Sequence, residues 1–188
     1  MELNWAMAHA GQTKTAAATS RRIPSLMKAK TTFVLLLATI AVAAAFAYLQ
    51  RPVHAPDVRF ATLAGERFST AELRSKVVLV NFWGTYCGPC LREMPKVLDT
   101  HRKFAPRGFE TVAVAMRQDR PEKVAEFTRQ RALPFKVVFD ASGEIAREFD
   151  KVRITPTIFV LDRNGRVLMK AVGQPDWAKV HAALENAL

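Results

Sequence analysis

The sequence predicts an α/β domain with a mixed central sheet covered by helices on both faces, preceded by one transmembrane helix. Three observations support this prediction. Short apolar strand-like runs alternate with helical patterns through about the last 130 residues. An uncharged run occupies residues 31–49. The only two cysteines, Cys87 and Cys90, lie between a strand pattern and a helix pattern.

Apolar patterning and turn residues place each element in order. Residues 77–82 form a near-continuous apolar run, which is typical of a central strand buried on both faces. Asn164-Gly165 lies between two apolar runs and indicates a β-hairpin, and a shorter hairpin is predicted around Ala64-Gly65. Strands are predicted at residues 59–63, 67–68, 77–82, 111–116, 137–139, 157–161 and 166–172, and helices at residues 87–104, 121–131, 144–149 and 177–188.

The apolar run at residues 31–49 is predicted to be a signal-anchor helix in the inner membrane. Such a helix would be about 28 Å long, close to the hydrocarbon thickness of a bilayer. Five Lys and Arg residues precede it, so the positive-inside rule places the following domain in the periplasm or outside the cell. A cleaved signal peptide is the alternative, because Ala45-Phe46-Ala47 resembles a cleavage site. The length of the run favours the anchor.

The remaining boundaries follow from composition. Residues 1–30 are predicted to be a disordered basic cytoplasmic tail. Met27-Lys28-Ala29-Lys30 resembles the start of an export signal, so residues 1–26 are hypothesised to precede the true start codon. Residues 50–57 contain Pro52 and Pro56 and are predicted to be a linker, and residues 58–188 are predicted to form one domain.

The chain is strongly basic, with a formal net charge of +11. Residues 51–188 carry 23 Lys and Arg against 16 Asp and Glu, a net charge of +7. This excess favours either anionic lipid headgroups or acidic partners, although a solvated basic surface is the simpler interpretation. The charges are scattered and not interleaved with aromatic residues, so the sequence predicts no nucleic-acid partner.

The two cysteines are predicted to form a redox-active dithiol. No further cysteine is present to complete a disulfide framework or a four-thiolate zinc site, and the four histidines lack the spacing of zinc ligands. A helix that starts at Cys87 would stabilise a thiolate there through its dipole. No metal and no cofactor beyond the Cys87–Cys90 disulfide are therefore expected.

Three motifs resemble the thioredoxin superfamily. They are Asn81-Phe82-Trp83-Gly84-Thr85-Tyr86-Cys87-Gly88-Pro89-Cys90, Glu93-Met94-Pro95, and Ile154-Thr155-Pro156-Thr157 before a strand. The anchor and the long segment between Cys90 and Pro156 make the chain most similar to the TlpA/ResA-like thiol-disulfide oxidoreductases. This resemblance implies a thioredoxin-like fold with an N-terminal hairpin and an extra βα unit in about residues 111–135.

The resemblance assigns roles to the two thiols. Cys87 is expected to be the exposed nucleophile, with a pKa below the free value of about 8.5. Cys90 is expected to be more buried and to resolve the mixed disulfide. Gly88-Pro89 is the dipeptide of reducing thioredoxins, which predicts a reductant rather than an oxidant.

The resemblance also implies a substrate-binding surface around the dithiol. Pro156 is expected to be cis and to shape a groove where substrate backbone pairs beside Thr155. Trp83 and Tyr86 are expected to form the apolar rim of this groove, with core packing as the alternative for both. Gly88 and Pro89 complete the predicted surface.

One position departs from the family pattern. Thioredoxins carry a buried aspartate where this chain has Asn81, and asparagine cannot exchange a proton at neutral pH. Glu93 follows Cys90 by three residues, one helical turn, and is the candidate replacement acid/base. Its alternative role is that of an ordinary acidic residue in the first helical turn.

The sequence therefore predicts a reductase of disulfides in exported proteins, of the kind that serves cytochrome c or copper-centre maturation. An oxidising compartment cannot regenerate the dithiol, so an integral-membrane electron donor is an expected partner. The alternatives are a thiol oxidase or isomerase of exported proteins, and a copper metallochaperone that uses both cysteines. A peroxidase is disfavoured, because it normally needs an isolated reactive cysteine.

Overall fold

The computed structural model describes residues 25–49 and 51–188, which fall into two units that divide after Arg51. The first unit contains helix α1 (Ser25–Leu49). The second unit, Pro52–Leu188, is an α/β domain. Its strands are β1 (Arg59–Ala61), β2 (Arg67–Ser69), β3 (Val77–Trp83), β4 (Phe109–Ala115), β5 (Lys136–Phe139), β6 (Thr157–Leu161) and β7 (Val167–Val172). Its helices are α2 (Gly88–Phe104), α3 (Pro121–Gln130), α4 (Glu144–Glu148) and α5 (Trp177–Ala187).

Helix α1 is long and apolar enough over Thr32–Leu49 to cross a membrane. It begins at Ser25, so the predicted disordered tail is wrong for residues 25–30. These residues include Leu, Met, Lys and Ala, which favour helix and extend it in the N-terminal direction. The rest of the predicted tail lies outside the described residues.

The central sheet has the strand order β5-β4-β3-β6-β7. Strand β3 is parallel to β4 and antiparallel to β6, which gives the mixed sheet that the sequence predicts. Because β3, β4 and β5 run in the same direction, their carboxyl ends share one edge of the sheet with the start of β6. This boundary runs across the ends of the strands and is distinct from an edge strand. It carries the dithiol and is called the dithiol edge below.

Apolar layers cover both faces of the sheet. Every residue of β3 is buried, and alternate residues point to opposite faces. Helices α2, α3 and α5 cover the face that includes Val77 and Leu79. The β1–β2 hairpin and α4 cover the face that includes Val78 and Val80. The predicted N-terminal hairpin and the βα pair expected at residues 111–135, here β4 and α3, are confirmed.

The segment before β1 belongs to the domain and is not a free linker. The backbone N–H of Val167 donates to the carbonyl of Val53 at 2.8 Å, and the N–H of Ala55 donates to that of Gly165 at 2.9 Å. The predicted linker at residues 50–57 is therefore wrong from Val53 onward. The two prolines that suggested a linker are compatible with an extended segment that pairs at a strand edge.

Candidate active site

The two cysteines form a disulfide at the beginning of α2. Cys87 is the N-cap residue of the helix, and its Sγ accepts a hydrogen bond from the backbone N–H of Cys90 at 3.2 Å. Pro89 lies in the first turn, where its missing N–H leaves no helical hydrogen bond unmade. Cys87 is 7% exposed and Cys90 is 2% exposed. Both residues are therefore buried in the disulfide form, Cys87 slightly less completely, which differs from the expectation of an exposed Cys87.

A buried carboxylate holds the loop that leads into Cys87. Asp119, in the turn between β4 and α3, accepts hydrogen bonds from the backbone N–H of Thr85 and from Thr85 Oγ1, the latter at 2.7 Å. It also accepts from the backbone N–H of Arg120 at 2.8 Å. The loop itself closes through a bond from the N–H of Cys87 to the carbonyl of Gly84 at 3.1 Å. Asp119 thereby fixes the approach to the dithiol from a neighbouring strand.

Tyr86 lies on the exposed side of the same loop. Its ring packs over Gly84 so closely that a Cβ at Gly84 would lie 2.5 Å from a ring carbon. The residue is 55% exposed, so much of its apolar surface faces solvent. Partial burial raises the pKa of the Tyr86 hydroxyl, an effect that the nearby Thr155 side chain partly offsets.

Trp83 occupies the core, the alternative to its expected place in the rim. Its side chain has no exposed surface and its ring lies 5.2 Å from that of Phe127 on α3. The reason is strand alternation, which points residue 83 toward the face that α2 and α3 cover. Ile154, which is 60% exposed and lies immediately before Thr155, provides apolar surface at the dithiol edge instead.

The Thr155–Pro156 peptide bond is cis, in agreement with the expectation from the resemblance. Thr157, the first residue of β6, pairs with Phe82 of β3, so Pro156 lies beside the end of the strand that leads to Cys87. The carbonyl of Pro156 accepts a bond from the N–H of Gly173 at 2.8 Å. The structure thus brings the loop of Thr155 and Pro156 and the cysteine loop to the same edge.

Glu93 lies on α2, one turn after Cys90, and is 3% exposed. Neither of its carboxylate oxygens has a hydrogen-bond partner among the described residues. Burial raises the pKa of Glu93 to about 7, and this rise is partly offset by the indole of Trp177 and the charge of Lys96. A carboxyl group with such a pKa can both hold and release a proton near neutral pH.

Asn81 is buried in β3 between Ala113 of β4 and Ile158 of β6. Strand alternation directs its side chain to the face that α2 covers, and its Oδ1 has no hydrogen-bond partner in the described part of the chain. An amide there cannot titrate, so residue 81 cannot supply the proton exchange that an aspartate would.

Metal ligation finds little support around the dithiol. Within residues 25–49 and 51–188, no three His, Cys, Asp or Glu side chains are grouped so that they could hold a metal ion. His181, which lies on α5, is engaged with the hydroxyl of Thr100 at 2.9 Å. A copper site would thus rest on the two thiolates and a ligand of another kind.

Comparison with known proteins identifies a family and sequence relatives for this domain. The Redoxin family model matches residues 52–188. The thiol-disulfide oxidoreductase ResA of Bacillus thuringiensis subsp. konkukian is 32% identical over 120 residues, which cover 64% of this chain and 68% of that protein. ResA of Bacillus subtilis is 30% identical over 127 residues, covering 68% of this chain and 70% of that protein.

A solved structure agrees with these sequence relatives. The thioredoxin-family thiol:disulfide interchange protein of Chlorobium tepidum TLS superposes with a TM-score of 0.66 at 30% identity, covering 73% of this chain and 97% of that one. Fold, dithiol position and sequence relatives point in the same direction. The chain belongs to the Redoxin family and is a TlpA/ResA-like thiol-disulfide oxidoreductase of the thioredoxin superfamily.

Proposed function

We propose that this protein is a membrane-tethered reductase of disulfides in exported proteins, with its catalytic domain in the periplasm or outside the cell. The observation that carries the proposal is the Cys87–Cys90 pair at the start of α2, where Cys87 Sγ accepts the N–H of Cys90. In the reduced protein the same N–H and the helix dipole would stabilise a Cys87 thiolate.

The proposed reaction is a two-step thiol-disulfide exchange. The Cys87 thiolate attacks one sulfur of the substrate disulfide, which forms a mixed disulfide and releases the first substrate thiolate. The thiolate of Cys90 then attacks the Cys87 sulfur and releases the second. The substrate gains two electrons and two protons, and the enzyme is left as the Cys87–Cys90 disulfide that the structure shows.

Glu93 is proposed to act as the acid/base for Cys90. Cys90 must lose its proton before it can attack, and it must regain one when the enzyme is reduced again. Glu93 lies one turn away on the same helix and titrates near pH 7. Asn81 replaces the aspartate that serves this purpose in thioredoxins. The role of proton donor and acceptor would therefore belong to Glu93 on the helix and not to the residue on the strand.

The proposed direction is reduction. Gly88-Pro89 is the dipeptide of reducing thioredoxins, and a reduction potential near thioredoxin's, about −270 mV, is expected rather than one near about −120 mV. Thr155, Pro156, Tyr86 and the Gly88-Pro89 surface would receive the substrate backbone around its disulfide. No cofactor beyond the dithiol takes part in this scheme.

The proposed location rests on α1 and on the relatives. Lys28 and Lys30 lie on the N-terminal side of the apolar span, which supports an N-terminus in the cytoplasm. Outside the cytoplasm the oxidised enzyme needs electrons from an integral-membrane donor. Substrates of the cytochrome c or copper-centre maturation type fit this arrangement.

Direction is tested by measuring the reduction potential of the full-length protein in defined redox buffers, beside insulin reduction and oxidative refolding assays. A potential below about −180 mV together with insulin reduction supports the proposal. A potential above that value, with efficient oxidative refolding, would identify an oxidase or isomerase instead.

Substrate and donor are tested by trapping. A Cys90→Ser protein cannot resolve its mixed disulfide, so partners remain attached to Cys87 in cells. Capture of exported cysteine proteins and of a membrane protein, released by dithiothreitol, is the expected result. The Cys87→Ser/Cys90→Ser double variant is the matched control, and identical captures by both proteins would contradict the proposal.

A further inference from the structure

A basic cavity of about 680 Å³ opens beside the active site and has no role in the exchange chemistry. Four cationic side chains line it: Arg117, Arg147, Lys151 and Arg153. No acidic residue lines it. Cations gathered around one concave surface repel each other and create a local positive potential, which favours an anionic partner.

The cavity lies on the dithiol edge of the sheet. Arg117 follows β4, and the neighbouring Met116 donates its N–H to the carbonyl of Trp83 at 3.0 Å. Arg153 stands two residues before Thr155, in the loop that leads into β6. The cavity is therefore lined by the segment that follows β4 and by α4 with the turn after it, and that turn continues through Arg153 into the loop of Thr155 and Pro156. In open α/β sheets, ligands bind at this edge.

The positive charge of the cavity is only partly offset by acidic side chains of the described residues: Asp150, which is paired with Lys170, interacts electrostatically with Lys151. Arg117, Lys151 and Arg153 are exposed, and within residues 25–49 and 51–188 none of them lies within 4.0 Å of an acidic side chain in an ion pair. Of the four cations, Arg147 forms ion pairs within the described residues, with Glu144 at 3.9 Å and with Glu148 at 3.4 Å.

The nearest buried acids are occupied elsewhere. Asp119 accepts bonds from Thr85 and from the N–H of Arg120, and Asp140 accepts from the N–H groups of Ile145 and Ala146. Asp119 is therefore held by the cysteine loop and by the start of α3, and Asp140 by the first turn of α4. An anion that entered the cavity would thus meet three unpaired cations.

The backbone shapes the cavity around these side chains. Arg117 lies against Gly143, where a Cβ would be 2.8 Å from Arg117 Cδ, so glycine makes room for the arginine. Asp150 and Lys151 both adopt left-handed φ angles, 56° and 53°. A bond from the N–H of Val152 to the carbonyl of Ala146, at 2.7 Å, closes this turn. The turn directs the chain of Lys151 and Arg153 along the cavity.

We propose that this cavity binds acidic residues of the polypeptide substrate, a few positions away from the disulfide that Cys87 attacks. The inference rests on the proposed reductase function and adds a charge preference to it. A polypeptide is favoured over a lipid headgroup because the cavity borders the exposed apolar surface of Ile154, so one extended segment could contact both. An anionic lipid remains an outcome of the test.

The test uses two synthetic peptides that differ only in charge. Both contain one intramolecular disulfide, and one carries Asp residues on each side of it where the other carries Asn. Full-length protein in nanodiscs of zwitterionic lipid is reduced, freed of reductant and mixed with each peptide. Alkylation after acid quenching then gives the second-order rate constant of a single turnover.

We expect the acidic peptide to react about fivefold faster at low ionic strength, and the preference to fall below about twofold at high salt. The Arg117→Gln/Arg153→Gln variant should lose the preference while it reduces the Asn peptide at the rate of the unmodified protein. The Arg74→Gln/Arg102→Gln variant changes the net charge equally and should keep it. Arg74 and Arg102 are exposed, and they lie before β3 and near the end of α2, at the opposite edge of the sheet.

Equal rates for the two peptides would overturn the charge preference and leave the reductase function intact. Reduction of neither peptide would overturn both. Loss of the preference in both double variants would assign it to net charge rather than to the cavity. Equal rates for the two peptides, together with binding of glycerol 1-phosphate that the Arg117→Gln/Arg153→Gln variant loses, would identify the cavity as a site for lipid headgroups, which also overturns the proposal.

Discussion

Two buried carboxylates flank the dithiol, and the fold treats them in opposite ways. Asp119, in the β4–α3 turn, accepts bonds from the N–H and hydroxyl of Thr85 and from the N–H of Arg120. Glu93, on α2, has no hydrogen-bond partner for either oxygen among the described residues. Both are at least nine-tenths buried, so the difference lies in their partners.

The difference separates a carboxylate that holds hydrogen-bond donors in place from a carboxylate whose pKa is raised. A carboxylate that accepts several hydrogen bonds fixes the positions of those donors. Burial destabilises the charged form of a carboxylate, and it raises the pKa of Glu93 to about 7 although Trp177 and Lys96 partly offset the rise. Asp119 thus fixes the shape of the cysteine loop, whereas Glu93 is available for proton exchange.

The largest effect is expected for Asp119→Ala. The change leaves the partly buried N–H and hydroxyl of Thr85 without their acceptor, and we expect a loss of about 2–4 kcal/mol in the free energy of unfolding. Denaturant unfolding of the full-length protein in mild detergent measures it. Asp99→Ala, on the exposed surface of α2, is the control, and equal losses in both variants would remove the special role of Asp119.

Glu93→Gln should stabilise the protein at high pH. The folded-state pKa of about 7 lies above the ordinary 4.5, so the favourable contribution of Glu93 is complete below pH 4.5 and is lost as the pH rises through 7. At pH 8 the charged, desolvated form opposes folding, and glutamine removes that cost. We expect a gain of about 1–2 kcal/mol at pH 8 and almost none at pH 4.5.

The measurement is denaturant unfolding at both pH values, with Glu122→Gln as the control. Glu122 is an exposed residue in the first turn of α3. If the stability difference between the Glu93→Gln protein and the unmodified protein is the same at pH 4.5 and pH 8, then ionisation of Glu93 does not cause this pH dependence.

Thr85→Val should cost less than Asp119→Ala. It removes the hydroxyl bond to Asp119 but keeps the backbone bond and the side-chain volume, so about 1 kcal/mol is expected. Thr85→Ser retains the hydroxyl and serves as the control. A cost for Thr85→Val as large as that for Asp119→Ala would mean that the hydroxyl, and not the backbone N–H, dominates the contact.

The smallest effect concerns the chemistry of Cys90. In a Cys87→Ser background, Glu93→Gln should lower the apparent pKa of the Cys90 thiol by about half a unit, because an ionised carboxylate nearby disfavours the thiolate. Alkylation rates between pH 6 and pH 10 measure this pKa. An unchanged profile would remove Glu93 from the proton path of the resolving thiol.

The contrast between the carboxylates also shows what the sequence could predict. Glu93 was predicted because its relation to Cys90 is local, one helical turn. Asp119 contacts Thr85, which is 34 positions away in the sequence, and no local sequence pattern predicts that contact. The available signal was topological: Asp119 follows the strand parallel to β3, so both loops had to meet at one edge.

The distinction between local sequence patterns and long-range contacts also explains where the other predictions and the structure differ. The order of strands and helices, the hairpins and the dithiol at a helix start depend on local patterns, and the structure contains them. Whether Trp83 is core or rim depends on which helices cover the face it points to. Whether residues 53–55 are linker or domain depends on a partner more than a hundred residues later, in the β6–β7 hairpin.

The pairing of Val53 and Ala55 with that hairpin has a practical consequence for separating the domain from its helix. Strand β7 is at the edge of the sheet, and these residues satisfy backbone groups where that strand begins. A soluble form that starts at residue 58 would leave these backbone groups of β7 unpaired. The exposed strand could then associate with another copy of the domain. A soluble form that starts at Pro52 keeps the beginning of this edge strand covered and should remain monomeric at higher concentration.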